Sequence, residues 1–113
     1  LNKHVMLKAA ITLFLIMPLF GNFNYDSINR NPKVHTVIIK EMKFQPSEIR
    51  VDKGDIVVWI NKDIVTHNVT EEKEKGWASP ALSAGKSWKM TVKKSFSYFC
   101  TLHPIMKGTI RVK

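Results

Sequence analysis

The sequence predicts an all-β fold built as a two-sheet sandwich, on three observations. Beyond position 33, apolar residues fall in short runs or alternate with a period of two. Glycine, proline and Asn/Asp punctuation breaks those runs at short intervals, and no segment of the region carries a helical period. With 113 residues, 44% hydrophobic and 24% charged, the chain has room for one ordinary domain with its own core.

The N-terminus stands apart from this pattern. Lys3, His4 and Lys8 precede an uncharged apolar run from Ala9 to Phe20, which has the form of an export signal. The run is about a dozen residues, short of the roughly twenty a bilayer-crossing helix needs, and Pro18 interrupts it. Gly21 offers a small residue for cleavage but Leu19 is large, so an uncleaved anchor holding the protein at a membrane is the alternative to a removed signal peptide. Residues 1–21 are thus expected as signal or anchor, 22–33 as a polar linker and 34–113 as the folded domain.

Within that domain, Val34 to Ile39 is rich in β-branched residues and forms the first expected strand. Phe44 to Val51 carries Pro46 before an alternating stretch, and Asp52-Lys-Gly-Asp55 is a turn. Ile56-Val-Val-Trp-Ile60 is a continuous apolar run, expected as a strand buried from both sides and ended by Asn61-Lys-Asp63. Val65 to Thr70 resumes the strand pattern, and Glu71 to Lys75 reads as a solvated loop. Trp88, Met90 and Val92 recur at a spacing of two and share a face, as do Phe96, Tyr98 and Cys100. Thr109 to Lys113 is the last strand. Met42 and Met90 read as core.

The formal charge is +9, of which Lys3 and Lys8 supply two, leaving +7 beyond the leader. A basic balance suits nucleic acid, an anionic membrane surface or an acidic protein. The basic residues are spread along the strand pattern rather than gathered in an arm, and an export leader counts against a nucleic-acid binder.

Cys100 is the one cysteine, in a chain with an export leader, where cysteines usually pair. Its neighbours point to metal. Cys100-Thr-Leu-His103-Pro-Ile-Met106 places a thiol, an imidazole and a thioether on one tight loop between strands. Two His, one Cys and a weak axial Met make a blue-copper electron-transfer site, and His67, just beyond the Ile56–Ile60 strand, can supply the missing imidazole. Four such ligands leave no open position for substrate, which argues against an enzyme. His4 and His35 have no comparable company.

Gly54-Asp-Ile-Val-Val-Trp-Ile-Asn61, His67-Asn-Val69 and Tyr98 to Met106 resemble the cupredoxins, particularly amicyanin and the plastocyanins, over roughly Val34 to Lys113. The two-residue gap between His103 and Met106 resembles the short ligand loop of amicyanin. The resemblance implies an antiparallel Greek-key β-sandwich with one copper ion at one end, ligated by His67, Cys100, His103 and Met106. It also implies that Asn68 ties the first ligand loop to the Cys loop and that the His103 imidazole reaches the surface. The expected function is a monomeric, periplasmic one-electron carrier between redox proteins. Its docking surface surrounds His103, made apolar by Leu102, Pro104 and Ile105, and its lysines favour an acidic partner. The alternative is a copper-binding module for storage, delivery or resistance.

Overall fold

The computed structural model describes residues 15–17, 21 and 30–113. Most of the expected signal or anchor and most of the expected linker therefore lie outside the described residues. The chain divides into units 1–30 and 31–113, and the second holds every strand described below. Among the described residues, no helix is long and apolar enough to cross a membrane.

Eight strands build the unit: β1 (Val34–Lys40), β2 (Lys43–Gln45), β3 (Glu48–Val51), β4 (Ile56–Asn61), β5 (Thr70–Glu71), β6 (Ser87–Thr91), β7 (Phe96–Phe99) and β8 (Lys107–Val112). They form two four-stranded sheets, β2-β1-β4-β6 and β3-β8-β7-β5. The all-β sandwich stands, but its pairing is mixed rather than wholly antiparallel. β1 runs parallel to β4 and β3 parallel to β8. The reason lies in the connection between β2 and β3: after β1 and β2 the chain crosses to the other sheet as β3, then returns as β4 running in the direction of β1. Parallel neighbours need a long crossover, and a short strand in the opposite sheet serves here in place of a helix.

Pro46 marks the crossing. The stretch Phe44 to Val51 is not one strand, because a proline has no N–H to give a ladder. β2 ends at Gln45, the Gln45–Pro46 peptide is cis, and β3 begins at Glu48 beside β8.

The core is filled by alternate residues of both sheets, including Val37 and Ile39 of β1, Val57 and Trp59 of β4, and Tyr98 and Ile110 from the facing sheet. Strand β4 is not buried from both sides as its continuous apolar run predicts: Val57, Trp59 and Asn61 are buried, while Ile56, Val58 and Ile60 are half-covered. Its run reflects a central place between β1 and β6, not a place between two covering layers. Trp88 and Met90 pack against the core, as their spacing predicts. Met42 does not; it sits on the β1–β2 turn and is 40% exposed.

Two buried carboxylates, one beside each sheet, gather backbone amides. Before β4, Asp55 accepts the backbone N–H groups of Lys33 and Asp52 and pairs with His35 Nε2 at 2.9 Å. His35 is thereby engaged at the end of β4 away from the Cys loop. In the other sheet Glu71, expected in a solvated loop, is buried and accepts the N–H groups of Glu74 and Gly76. Burial works to raise its carboxyl, yet these amides and those of Lys73 and Lys75 hold it below the usual range.

Candidate metal centre

The far end of β4 is where the chemistry gathers. The buried Asn61 side chain donates to the carbonyls of Val65 and Leu82 at 2.8 Å each and accepts the Asp63 N–H at 2.9 Å. These bonds fold residues 62–65 into a compact loop. The expected strand over Val65 to Thr70 is reduced to a bridge at His67, whose N–H and carbonyl both pair with Leu82, before β5 begins. The competition from Asn61 for backbone partners displaces the ladder.

His67 is fully buried and both ring nitrogens are engaged. Nε2 lies 2.8 Å from Asp63 Oδ2, and Nδ1 faces Cys100 Sγ at 3.8 Å. Donation of Nε2–H to the carboxylate leaves the Nδ1 lone pair directed at the sulfur, the tautomer a metal-binding imidazole needs. Asp63 also accepts the N–H groups of Glu41 and Met42. Burial works to raise its carboxyl, but the bonds from Met42, His67 and Glu41 hold it below the ordinary carboxylate range.

Cys100 follows β7, buried in line with Tyr98, and its thiol is free. The ligand loop closes on itself: His103 N–H donates to the Cys100 carbonyl, Met106 N–H to that of His103, and Cys100 N–H to that of Met106. Pro104 stands within this closed turn. Met106 is buried beneath it, and the His103 ring meets that of His67 edge-on with centroids 5.0 Å apart. Asn68 joins the two loops. Its N–H points at Cys100 Sγ (3.4 Å), its amide donates to Thr101 Oγ1, and its Oδ1 accepts Thr101 N–H at 2.9 Å.

Among the described residues, no group of three or more His, Cys, Asp and Glu side chains closes up as a metal cluster. The donors are instead drawn together in pairs, and the fourth is a thioether. The set still fits copper. The buried Cys100 sulfur and the His67 Nδ1 face each other, so one ion could take a sulfur and a nitrogen donor from the same point. Nitrogen, thiolate and thioether together suit both oxidation states of copper. His67, Cys100, His103 and Met106 could hold one ion.

Comparison with known proteins decides the family. Residues 33–113 match the copper binding proteins of the plastocyanin/azurin family. The chain belongs to that family. Its cofactor is copper, and it is a cupredoxin. The chain is 30% identical to amicyanin-alpha of Methylorubrum extorquens over 112 residues, 93% of this chain and 94% of that protein. It is 30% identical to amicyanin of Paracoccus versutus over 81 residues, spanning 61% of that relative's length. A reduced mutant of amicyanin superposes with a TM-score of 0.67 at 27% identity, over 77% of this cupredoxin and 89% of that chain. A copper-containing nitrite reductase from Thermus scotoductus matches with a TM-score of 0.65 at 26% identity, over 75% of this chain but 23% of the enzyme.

Asp63 and Asn61 are the residues that sequence reasoning missed. Asn61-Lys-Asp63 looks like a strand end, yet an acid four positions before a candidate imidazole ligand was a signal available for Asp63. Nothing in the sequence announces the Asn61 bond to Leu82, which lies 21 residues away.

Proposed function

We propose that this cupredoxin carries single electrons between redox proteins outside the cytoplasm, its copper held by His67, Cys100, His103 and Met106. One observation carries the reading: the buried Cys100 Sγ faces His67 Nδ1 while Asp63 occupies the other nitrogen of the same ring. When bound, copper supplies a one-electron Cu(I)/Cu(II) couple. The protein supplies rigidity. Asn61 fixes the first ligand loop, Asn68 ties it to the second, and the closed Cys100–Met106 turn keeps the donors in place as charge changes. A filled ligand set leaves no position for substrate, which favours a carrier over a catalyst. Relatives described as amicyanin in reduced and in oxidised form support a redox role.

His103, half-buried, is the donor nearest the outside, and Leu102, Pro104 and Ile105 around it are exposed, Ile105 by 89%. An apolar surface of this kind with Lys43 and Lys107 beside Ile105 suits brief docking of an acidic redox partner. The export pattern over residues 1–21 favours a periplasmic location, free or held by that segment.

Addition of Cu(II) to the purified domain is expected to give an intense blue band that ascorbate bleaches. Cys100→Ser abolishes the band and Met106→Leu mainly shifts the reduction potential. A blue band that survives Cys100→Ser overturns the ligand set.

A further inference from the structure

The β1–β2 turn carries a side chain that electron transfer leaves without a task. Glu41 and Met42 are its central residues, between the paired Lys40 and Lys43, and both have positive φ, 55° and 58°. A two-residue turn of that shape favours Asn and Gly, and a long side chain there works against local preference. Backbone strain of this kind gathers where a side chain is needed. The turn is pinned from outside its own hairpin: Asp63 accepts Glu41 N–H at 2.8 Å and Met42 N–H at 3.1 Å. The Oδ2 atom that takes Met42 N–H is also the one bonded to His67 Nε2. One carboxylate thus sets the methionine turn and the imidazole donor in a fixed relation.

Met42 also lines a cleft of about 330 Å³ whose walls include Ile105 and Met106. The two methionines that line it differ in exposure: Met42 is 40% exposed, and Met106, of the proposed ligand set, is buried. We propose that Met42 is a capture ligand for Cu(I), its Sδ receiving the ion at the cleft together with Met106 before the ion passes to Cys100 and His67. Thioethers are soft donors that select Cu(I). Lys43 on the same wall, with Lys107 there paired to Glu72, leaves the cleft with a positive balance that disfavours a free hydrated cation and favours copper arriving as an anionic Cu(I) complex. The step is ligand exchange: bonds to the carrier break as Cu–S bonds form, copper keeps its oxidation state, and the Cys100 thiol releases its proton to solvent as Sγ binds. The inference rests on the proposed ligand role of Met106.

The test mixes apo-protein with the Cu(I)–bicinchoninate complex and follows loss of the chelate colour by stopped flow. Met42→Leu keeps the apolar bulk without sulfur, and Met42→Gly gives the turn a preferred residue. Both take up Cu(I) roughly tenfold more slowly than the natural chain, the scale on which loss of one supporting contact at a metal site acts. Met42→Gly does so without a lower denaturation midpoint, which separates loss of sulfur from loss of fold. Met90→Leu, altered on β6, loads at the natural rate. An unchanged Cu(I) rate in Met42→Leu overturns the proposal, as does an equal slowing of Cu(II) uptake. A second measurement uses Ag(I), a redox-inert stand-in, on the Cys100→Ser chain: the methyl signals of Met42 and Met106 shift together. A Met42 signal that stays in place rejects the capture role. The blue band of the natural chain reports on the ligand set independently, so the two failures are told apart.

Discussion

At the scale of single residues, carboxylates do the positioning. Asp63, Asp55 and Glu71 each gather backbone N–H groups from a neighbouring turn, and each is drawn out of solvent to do so. A carboxyl held low in the fold contributes stability that is present above its unfolded value and is lost as pH falls through its native value. For Glu71 the unfolded reference is 4.5 and the native value lies below it. Its charge-dependent hold on the Glu74 and Gly76 amides is therefore complete above pH 4.5 and released at more acidic pH. NMR shifts of those two amides are expected to titrate with a midpoint below 4.5 and to flatten in Glu71→Gln. A midpoint at or above 4.5 would contradict the bonding described.

At the scale of elements, the antiparallel pair β7–β8 sets where the Cys loop leaves the core. Gly108 is paired with Tyr98 across that ladder, and a Cβ at position 108 would run into the Tyr98 phenol ring. The ring cannot yield, since Tyr98 is fully buried with edge-on contacts to Trp59 and Phe44. Burial also pushes its phenol up to about 12, against a smaller opposing pull from the Trp59 indole, so the hydroxyl stays protonated across the physiological range. Gly108→Ala is expected to destabilise the apo-protein by about 1–3 kcal/mol, the usual cost of overpacking a filled core. Urea denaturation measures it; a loss below about 0.5 kcal/mol, ordinary for a surface change, would show that the strand shifts freely.

At the scale of the whole molecule, the two parallel pairs join segments far apart in the chain. β3 meets β8 at Glu48 and Thr109, and β1 meets β4 at Val34 and Ile56. Such pairings must close long loops before they gain contacts, so refolding of the apo-protein should take milliseconds to seconds, the range of sandwiches dominated by non-local pairing. Stopped-flow Trp fluorescence tests this, and a microsecond phase that completed folding would refute it. The same non-locality explains what the sequence withheld. Strand existence and the Cys100–Met106 loop were legible because each lies in one contiguous stretch. Sheet membership was not, because Phe44 to Val51 reads as one unit until the opposite sheet claims its second half. Met42 was misread as core because alternation with Phe44 is indistinguishable from a strand until the turn is seen. Asp63 escaped notice because its partners at Glu41 and Met42 come from another hairpin.

Strand β4 runs between two polar groups, Asp55 with its β1 partner His35 at one end and the Asn61–Asp63–His67 group at the other. Asn61 lies six steps along the extended chain from Asp55, about 20 Å at some 3.3 Å per residue. The two ends are held by separate sets of hydrogen bonds, Asp55 to the amides of Lys33 and Asp52 and Asp63 to His67 and the β1–β2 turn. Sites so far apart with no shared partner act independently. Strand β4 is therefore a strut pinned separately at each end, and a substitution that frees the Asp55 end leaves the seating of the His67 imidazole untouched.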